Sequence, residues 1–385
     1  MNIAFITLGF RPYRASGLDI SGERLVKALL KNKNKISVIA GYRSNFVEET
    51  TDKNLKIYRI PLNKSDWIGF SYLASTLLKN ITRTEHFDIV HFWDVHFAYA
   101  YSNKFVATLH HSFRKRSISI NSNYFKGISF IKYKLYYFLA RNLTEIPSLK
   151  KAKLLMAISH STKKDYIENY KIPSKKIYLT RHGIDLDFFC NKNNEAATLR
   201  SQLGISQSDF VILFAGFITP RKNIEILFQS VLNLHFKPKL VLVGQWRDNK
   251  YRKKVLDIIK QKKINIIEVG FVQDDMMPVY YSMADVFVFP SFLEGFGLPL
   301  IESLACETPV IASNVSSIPE VVGPGGFLVD PKDHIQMANY ISILANDRGL
   351  RQKFGKDGRN YVETHFSIEQ FFSSVVNAYS CAINL

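Results

Sequence analysis

The chain has 385 residues, of which 46% are hydrophobic and 22% are charged, and its formal net charge is +18. The length suits about two domains of roughly 100–200 residues each, and the composition excludes disorder as a description of the whole chain. Its cysteines, Cys190, Cys306 and Cys381, are scattered, which excludes a disulfide framework and a cysteine-based zinc site. We therefore expect a globular protein of a reducing compartment, the cytoplasm.

Neither a targeting segment nor a membrane span is predicted. The first residues, MNIAFITLGF, are apolar, with no basic region before them and no small-residue cleavage site after them. They predict a buried strand and not a signal peptide. Because no run of 18 apolar residues occurs, we expect no membrane-spanning helix.

The positive charge is concentrated in the first half of the chain. Residues 1–190 contain 31 basic and 14 acidic residues, whereas residues 191–385 contain 20 and 19. Between Tyr101 and Lys153, 11 basic residues accompany one acidic residue, Glu145. Such an asymmetry indicates nucleic acid, a membrane surface or an acidic ligand as partner. A lysine-rich composition without any such partner is the plainer alternative.

Apolar strands alternate with helical patterns along the first half. A helix is predicted over residues 23–32. Strands are predicted at 2–10, 35–42, 55–62, 87–94, 104–111, 154–161 and 176–185. Near-continuous apolar strands separated by helices predict a parallel sheet that is covered on both faces.

The same pattern restarts after a polar stretch, residues 191–198, which we predict to be a linker. Strands are predicted at 210–217, 239–245, 264–271, 285–291 and 309–314, and helices at 224–235, 251–261, 276–284 and 299–306. Two such series predict an α/β protein of two doubly wound, Rossmann-like domains, 1–190 and 191–365. Residues 366–385 are expected to form a helix that packs back on the first domain. Ligands bind at the carboxyl ends of such strands, so we expect a site in a cleft between facing domains.

The most informative stretch, Pro290–Val310, follows a predicted strand directly. Glu294 lies on its loop, and Gly297 allows the backbone to approach a ligand. Pro299 suits a first helical turn, and Glu302 falls inside that helix. Free N–H groups at a helix N-terminus favour phosphate, and carboxylates accept hydrogen bonds from sugar hydroxyls. A capped helix with surface carboxylates is the alternative, but the intervening GFGLP sequence favours a ligand site.

Two cations follow another strand end. Gly216 ends the predicted strand, and Arg221 and Lys222 lie on the loop before the next helix. A guanidinium fork beside a lysine suits a diphosphate. A solvated basic pair is the alternative, although cations are unfavourable at a helix N-terminus, which is itself positive.

The first domain contains weaker signals. Gly17, Ser21 and Gly22 are predicted to form a turn between strand and helix, where either a phosphate-binding loop or a plain tight turn is expected. His110 ends a predicted strand, where it could orient a hydroxyl or be a buried, hydrogen-bonded histidine. Asp185 and Asp187 resemble a metal dyad superficially, but we expect them to cap and shape the domain crossover.

With these motifs in place, the chain resembles the retaining glycosyltransferases of family 4, which have the GT-B fold of two facing Rossmann-like domains. The specific part is the Glu-x7-Glu motif, Glu294 to Glu302. The stretches ISHSTKKD, RHGIDLDFF, GFITPRKN, YYSMADVFVFPS and SSIPEV are also similar to the family, so that the resemblance covers nearly the whole chain. The Pro-Arg-Lys-Asn loop and SSIPEV resemble the mannosyltransferase-like members.

The resemblance implies a role for each candidate residue. The first domain would bind the acceptor and the second the nucleotide sugar. Arg221 and Lys222 would hold the donor diphosphate, Glu294 would contact the transferred sugar, and His110 would lie beside that sugar. Donor-binding residues would be Glu302, Phe296, Gly297, Leu298, Gly17, Ser21, Gly22, Gly216 and Asp274. The chain departs from the family at Phe217, which stands where many members have arginine, and at His182, which stands where asparagine is usual.

The implied reaction is transfer of a hexose, with retention, from a nucleoside-diphosphate sugar to a glycan or glycolipid during polysaccharide, lipopolysaccharide or capsule assembly. No cofactor and no metal are expected, because cations would stabilise the departing diphosphate. GDP-mannose is favoured weakly, and UDP-sugars stay open. A catalytically inactive scaffold and a nucleic-acid-binding protein are the alternatives, although the intact motif argues against the first and the lack of a recognition module against the second.

A basic and aromatic segment of the first domain suggests a membrane partner. We hypothesise that it docks on an anionic membrane surface, because amphipathic basic segments with aromatic residues lie in the interface. A solvated helix that covers the first domain is the alternative. The patch comprises Arg114, Lys115, Arg116, Lys126, Lys132 and Lys134. The expected location is therefore the cytoplasm, with peripheral association at the inner face of the membrane.

Overall fold

The computed structural model describes residues 1–11, 17–42, 48–62, 67–119 and 128–385. They form two compact units. The first contains Met1–Gly183 and Ile368–Leu385, and the second contains Ile184–Ser367. In these described ranges no helix is long and apolar enough to cross a membrane.

The first unit is built on an eight-stranded sheet with the order β3-β4-β2-β1-β5-β6-β7-β8. Its strands are β1 (Asn2–Thr7), β2 (Lys35–Tyr42), β3 (Glu48–Asp52), β4 (Leu55–Pro61), β5 (Ile89–Phe92), β6 (Val106–Leu109), β7 (Leu154–Ala157) and β8 (Ile177–Leu179). Its helices are α1 (Gly17–Lys31), α2 (Trp67–Ile81), α3 (Phe113–Ser119), α4 (Ile128–Ala140), α5 (Ile146–Lys151) and α6 (His160–Tyr170). A π-helical turn, Arg141–Glu145, joins α4 to α5.

The pairing in this sheet is parallel except between β3 and β4. The antiparallel strand β3 was absent from our expectations, because its sequence, EETTD, has no apolar alternation. It occupies the edge of the sheet and pairs with one strand, β4.

The second unit is built on a six-stranded sheet with the order β11-β10-β9-β12-β13-β14. Its strands are β9 (Val211–Ala215), β10 (Lys239–Val243), β11 (Ile266–Gly270), β12 (Val286–Phe289), β13 (Val310–Ser313) and β14 (Gly326–Val329). Its helices are α7 (Asn193–Gln202), α8 (Ile224–Val231), α9 (Asn249–Lys262), α10 (Met277–Ser282), α11 (Leu298–Ala305), α12 (Ile318–Val322), α13 (His334–Asn346) and α14 (Arg348–His365). All pairs are parallel.

The predicted linker at residues 191–198 was wrong, because most of it forms helix α7. Ala196 and Leu199 are buried, and Glu195 lies in the first turn, where a carboxylate interacts favourably with the helix dipole. Lys192 N–H also donates to Ser282 Oγ at 3.0 Å. Ala196 and Leu199 thus anchor a helix whose sequence is mostly polar, and Arg200 also binds it to the Met283 carbonyl and to Asp285.

The last helix, α15 (Ile368–Asn384), belongs to the first unit. Its buried residues Phe371, Val375 and Tyr379 pack in one core cluster with strands β1, β2 and β5 and with helix α1. The hydroxyl of Tyr379 lies 2.7 Å from Nδ1 of His91 in β5. The C-terminal helix α15 therefore completes a hydrophobic core that the N-terminal strand β1 also lines.

Candidate active site

Strand order brings the two strongest motifs together. Arg221 and Lys222 follow β9, Glu294 follows β12, and β9 and β12 are paired neighbours in the sheet. The N–H of Phe292 donates to the carbonyl of Arg221 at 2.9 Å. Parallel strands bring their carboxyl ends to one edge, so residues more than 70 positions apart in the chain become adjacent.

Arg221 and Lys222 occupy a short 3-10 turn, Pro220–Lys222, that ends at Asn223. Asn223 has a left-handed backbone, with φ of 54°, and its side-chain amide donates to the carbonyl of Pro331 at 2.8 Å. Asparagine tolerates this backbone better than most residues. The turn therefore fixes the direction in which both cations leave the backbone.

Both cations contact one carboxylate oxygen. Oε1 of Glu294 lies 2.7 Å from Nη1 of Arg221 and 2.9 Å from Nζ of Lys222. Nη1 of Arg221 also donates to the carbonyl of Leu293. The side chains of Glu294 and Lys222 are both mostly buried. Nζ of Lys222 lies 4.2 Å from the centre of the Phe289 ring. Two cations and one carboxylate leave a net positive charge at the strand ends.

The pKa of Lys222 is lowered from its ordinary value. Burial is the main cause, the charge of Arg221 adds to it, and Glu294 opposes it. The folded protein thus holds an ammonium group in a place that disfavours its charge. An anionic ligand would raise the pKa of Lys222 again, because an opposite charge nearby favours the charged form of the lysine.

The loop after β12 leads into α11 through a glycine that its backbone requires. Gly297 has a φ of 105° and precedes the first residue of the helix, Leu298. Pro299 lies in the first turn, as predicted. The hydroxyl of Ser317 donates to the carbonyls of Phe296 and Glu294 at 3.1 and 3.3 Å, which holds the loop. The Phe296 side chain is buried against Phe366, so only its backbone can face a ligand.

The remaining candidates in this unit lie on different elements. Glu302 is inside α11, and its Oε2 accepts a hydrogen bond from the hydroxyl of Tyr281 at 3.1 Å. Asp274 begins a 3-10 turn beyond β11, at the far edge of the sheet from β12. Tyr281 and Ser317, which support the two glutamates, were missed from the sequence.

Three neighbouring strands are followed or ended by a glycine with positive φ. Gly216 after β9 has a φ of 127°, Gly244 after β10 has 133°, and Gly270 at the end of β11 has 81°. A Cβ at Gly244 would overlap the carbonyl oxygen of Gly216. The repeated pattern of an apolar run and then glycine was a signal for Gly244 and Gly270 that we did not use.

The expected turn at Gly17, Ser21 and Gly22 was wrong, because all three residues lie in helix α1. Ser21 and Gly22 are buried in its second turn, and a Cβ at Gly22 would approach Nε1 of Trp93 to 3.0 Å. Glycine therefore serves the close packing of a helix here, and not a turn. The loop between β1 and α1 lies largely outside the described residues.

His110 is fully buried at the end of β6. Its Nε2 lies 2.6 Å from the carbonyl oxygen of Trp93, and its buried Nδ1 has no hydrogen-bond partner within the described ranges of the chain. The ring stacks on that of His182, whose Nδ1 lies 2.8 Å from the Ser21 hydroxyl. Burial lowers the pKa of His110 to about 4, so the imidazole is neutral at pH 7. The fold thus joins Ser21, Gly22 and His110, and the role of His110 beside a sugar stays a prediction.

A second buried network includes Glu145, the one acidic residue of the basic segment. His96 lies 2.5 Å from Oδ1 of Asp94 and 3.3 Å from Oε1 of Glu145. Glu145 also accepts from the hydroxyls of Tyr166 and Tyr170 at 2.8 and 2.6 Å. Burial lowers the pKa of His96, but the two carboxylates raise it overall to about 9. The segment's only carboxylate is therefore directed into the core.

The basic patch is divided between two helices. Arg114, Lys115 and Arg116 lie on α3, and Lys132 and Lys134 lie on α4. Lys126, with its aromatic neighbours Tyr124 and Phe125, lies outside the described residues. Arg114 approaches Asp165 at 3.8 Å, Lys115 donates to the Ser161 carbonyl at 3.2 Å, and Lys132 is exposed.

Asp185 caps a turn with its side chain, to which Asp187 contributes its backbone N–H, and a role of the pair in shaping the domain crossover stays a prediction. Oδ1 of Asp185 accepts hydrogen bonds from the backbone N–H groups of Asp187 and Phe188 at 3.1 and 3.2 Å. Over the part of the chain that the structure describes, no group of three or more His, Cys, Asp or Glu residues could hold a metal ion.

Two family models match the chain. Residues 15–188 match Glycosyltransferase Family 4, and residues 195–361 match Glycosyl transferases group 1. This chain belongs to the family 4 glycosyltransferases. The predicted fold class and family are confirmed, and the Glu294–Glu302 motif lies within the second match.

Individual proteins agree with this assignment. The chain is 31% identical to the O-antigen chain mannosyltransferase B of Escherichia coli, over 60% of this chain and 61% of that protein. The sucrose-phosphate synthase of Thermosynechococcus elongatus has the same fold, with a TM-score of 0.82 and 20% identity over 100% and 99% of the two chains. The Anabaena protein HepE, solved with UDP-glucose, has a TM-score of 0.75 and 18% identity over 99% and 100%. The fold is therefore that of the GT-B glycosyltransferases.

Proposed function

We propose that this glycosyltransferase moves a hexose from a nucleoside-diphosphate sugar to a glycan or lipid-linked acceptor in bacterial-type surface polysaccharide assembly, with retention at the anomeric carbon. The observation that carries the proposal is the cluster of Arg221, Lys222 and Glu294 beside the N-terminus of α11. The mannosyltransferase relative supports the substrate class.

The reaction would use charge that the fold has already assembled. The acceptor hydroxyl oxygen bonds to the anomeric carbon on the face that the diphosphate leaves. The bond from that carbon to the phosphate oxygen breaks, and the departing diphosphate takes the hydroxyl proton. Arg221 and Lys222 would hold the negative charge that grows on the leaving oxygen, and preorganised cations in a partly dry site do so strongly.

Glu294 would have two functions in this scheme. Its Oε1 holds both cations in position, at 2.7 and 2.9 Å, before a donor arrives. Its carboxylate can also accept a hydrogen bond from a hydroxyl of the transferred sugar. Glu302, held by Tyr281, would accept from the ribose hydroxyls of the donor.

The donor and the metal requirement are parts of the same proposal. We propose GDP-mannose as the first donor to test, with UDP-sugars as the alternative, because the named relative is a mannosyltransferase and HepE was solved with UDP-glucose. We expect transfer without an added metal ion, since the two cations would supply the charge stabilisation.

The first unit would meet its acceptor at an anionic membrane surface. Cations on α3 and α4 would supply the attraction, at roughly 1 kcal/mol for each residue near the surface. Co-sedimentation with anionic vesicles at low salt is the test. A protein that stays in the supernatant with every anionic vesicle would overturn this part of the proposal.

The decisive experiment is a transfer assay with Glu294→Ala. We expect the variant to lose at least about 100-fold in rate, because Arg221 and Lys222 would lose the carboxylate that holds them in position to stabilise the leaving charge. Glu195→Ala, which removes an exposed carboxylate of α7, is the matched control and should keep full activity. Unchanged transfer in Glu294→Ala would refute the site, and no transfer by the unmodified protein with any nucleotide sugar would favour an inactive scaffold.

A further inference from the structure

A cavity of about 270 Å³ lies between helices α3 and α4 of the first unit. Three cationic side chains and three aromatic rings line it, namely Arg114, Lys134 and Arg141 with Phe113, Tyr137 and Phe138. Its volume is slightly below that of ordinary pockets for drug-sized ligands, about 300–1,000 Å³. It suits a compact anionic group that is attached to something apolar.

Arg141 brings an unmet hydrogen-bond donor to this cavity. Among the residues that the structure describes, its buried Nε has no hydrogen-bond partner, and its Nη2 makes only a long hydrogen bond, 3.4 Å, to the carbonyl of Asn169. The guanidinium lies 4.8 Å from the centre of the Tyr170 ring, which fixes its plane. The guanidinium thus has donor capacity that the described protein groups do not use, and an anion in the cavity could accept a charge-assisted hydrogen bond from its terminal N–H groups.

The other two cations are only partly neutralised. Nη1 of Arg114 lies 3.8 Å from Oδ1 of Asp165, near the limit of an ion pair. Nζ of Lys134 donates to the carbonyl of Ser117, which is neutral, and lies 5.4 Å from the centre of the Phe130 ring. The one carboxylate of the whole segment, Glu145, is fully buried among Tyr166, Tyr170 and His96. The cavity therefore keeps a net positive charge.

An exposed apolar stripe adjoins the cavity. Ile131, Leu135, Leu139 and Leu143 follow one another at intervals of four residues, so they lie on one side of α4 and of the turn after it. All four are exposed, Leu143 by 67% and Ile131 by 65%. Phe138 both lines the cavity and is 60% exposed, so it connects the stripe to the cations. Exposed apolar surface of this kind marks an interaction site.

We propose that the cavity binds the terminal phosphate of a membrane lipid, with the apolar stripe lying among the lipid chains. Two features of the surface indicate a lipid phosphate. The three cations of the cavity favour an anion, and the exposed apolar stripe beside them favours contact with hydrocarbon chains. A terminal phosphate, as a monoester or diphosphate, presents several oxygens to two guanidinium forks and one ammonium group. This inference rests on the membrane association proposed above. Positive charge alone would attract any anionic lipid, whereas the cavity would select a lipid with a terminal phosphate.

The test compares two vesicle types at matched surface potential. One contains phosphatidic acid, which has a terminal phosphate, and the other contains phosphatidylglycerol, whose phosphate is covered by glycerol. We expect the protein to bind the first about tenfold more tightly, the effect of roughly one additional charge-assisted hydrogen bond. Lys134→Gln and Arg141→Gln should reduce that preference nearly to unity.

Lys132→Gln is the matched control for Lys134→Gln, since it removes the same charge from the same helix at a residue that does not line the cavity. It should weaken binding to both vesicles equally and keep the ratio. Thermal melts of the variants verify that each one folds.

Three other results of the vesicle and melting experiments would each refute a different part of the proposal. Equal binding of the unmodified protein to both vesicles would refute the phosphate pocket and leave membrane docking intact. Binding to neither would refute the docking itself. If inorganic phosphate alone raised the melting temperature through Lys134 and abolished the vesicle preference, the site would be one for free phosphate and the lipid assignment would be wrong.

Discussion

The ammonium group of Lys222 lies 2.9 Å from Oε1 of Glu294, although the two residues belong to different loops of the sheet. The pair is mostly buried, and burial lowers the pKa of the lysine. Arg221 contacts the same oxygen, so the carboxylate is shared between two cations. The cluster therefore has two cations for one carboxylate, and a bound anion would neutralise the remaining positive charge.

We expect Lys222→Met to remove the response to nucleoside diphosphates. In the unmodified protein, UDP or GDP at 100 times its dissociation constant should stabilise the fold by about 2.7 kcal/mol, by mass action. The variant should lose most of that shift, because the buried cation that we propose to hold the diphosphate is gone. A thermal-shift titration with both nucleotides measures the effect.

The control for this substitution is Lys250→Met, at an exposed position at the start of α9. It should keep the full nucleotide response. An unaltered response in Lys222→Met would place the diphosphate elsewhere.

Gly244→Ala should destabilise the protein more than Gly270→Ala. Both residues have positive φ, but a Cβ at Gly244 would overlap the Gly216 carbonyl, whereas one at Gly270 would meet nothing within 4 Å. Gly270→Ala should therefore cost about 1–2 kcal/mol for left-handed backbone alone. Gly244→Ala should add about 1–3 kcal/mol of overpacking. The midpoints of urea unfolding measure both, and equal midpoints would contradict the predicted contact.

The His96 network should make the protein less stable in alkali. The pKa of His96 in the folded protein, about 9, is above the ordinary value of 6.5, so the folded state holds the proton more tightly. Its contribution is complete below about pH 6.5 and is lost as the pH rises to 9. His96→Gln should remove this pH dependence and destabilise the fold by roughly 3–5 kcal/mol, because two buried carboxylates lose their cation.

Melting temperatures between pH 6 and pH 9.5 (about half a unit beyond each pKa) measure the alkaline effect. His86→Gln, a substitution at an exposed histidine, is the control and should retain the slope of the unmodified protein. A flat profile in the unmodified protein would exclude a protonated His96.

The buried neutral histidines should make the protein less stable in acid, the opposite of the effect of His96 in alkali. Burial lowers the pKa of His110 to about 4 and that of His91 to about 3. Each contributes stability that is present above pH 6.5 and is lost as the pH falls towards those values, because the unfolded chain takes up the proton first. His110→Gln, which does not titrate, should show a smaller decline in melting temperature between pH 6.5 and 4. An identical decline would mean that His110 is protonated in the fold.

The sequence alone determined the fold class, the family and the main motif. Apolar runs such as Val211–Ala215 and Val286–Phe289 are strands because they are buried on both faces, and that pattern is visible without coordinates. The spacing from Glu294 to Glu302 is likewise local, since a loop and the first turns of one helix contain both residues.

The tertiary structure alone decided which side chains meet. Strand order made Lys222 and Glu294 neighbours. The packing of loops and helices placed His182 against His110 and directed Glu145 inward, while the cations around it stayed near the surface. The same cause explains the errors at Gly22 and at residues 191–198. A glycine packed against Trp93 and a polar helix fixed by Ala196 and Leu199 look like a turn and a linker until their partners are present. Periodicity is a property of consecutive residues, whereas contacts and charges depend on segments that the chain brings together only when it folds.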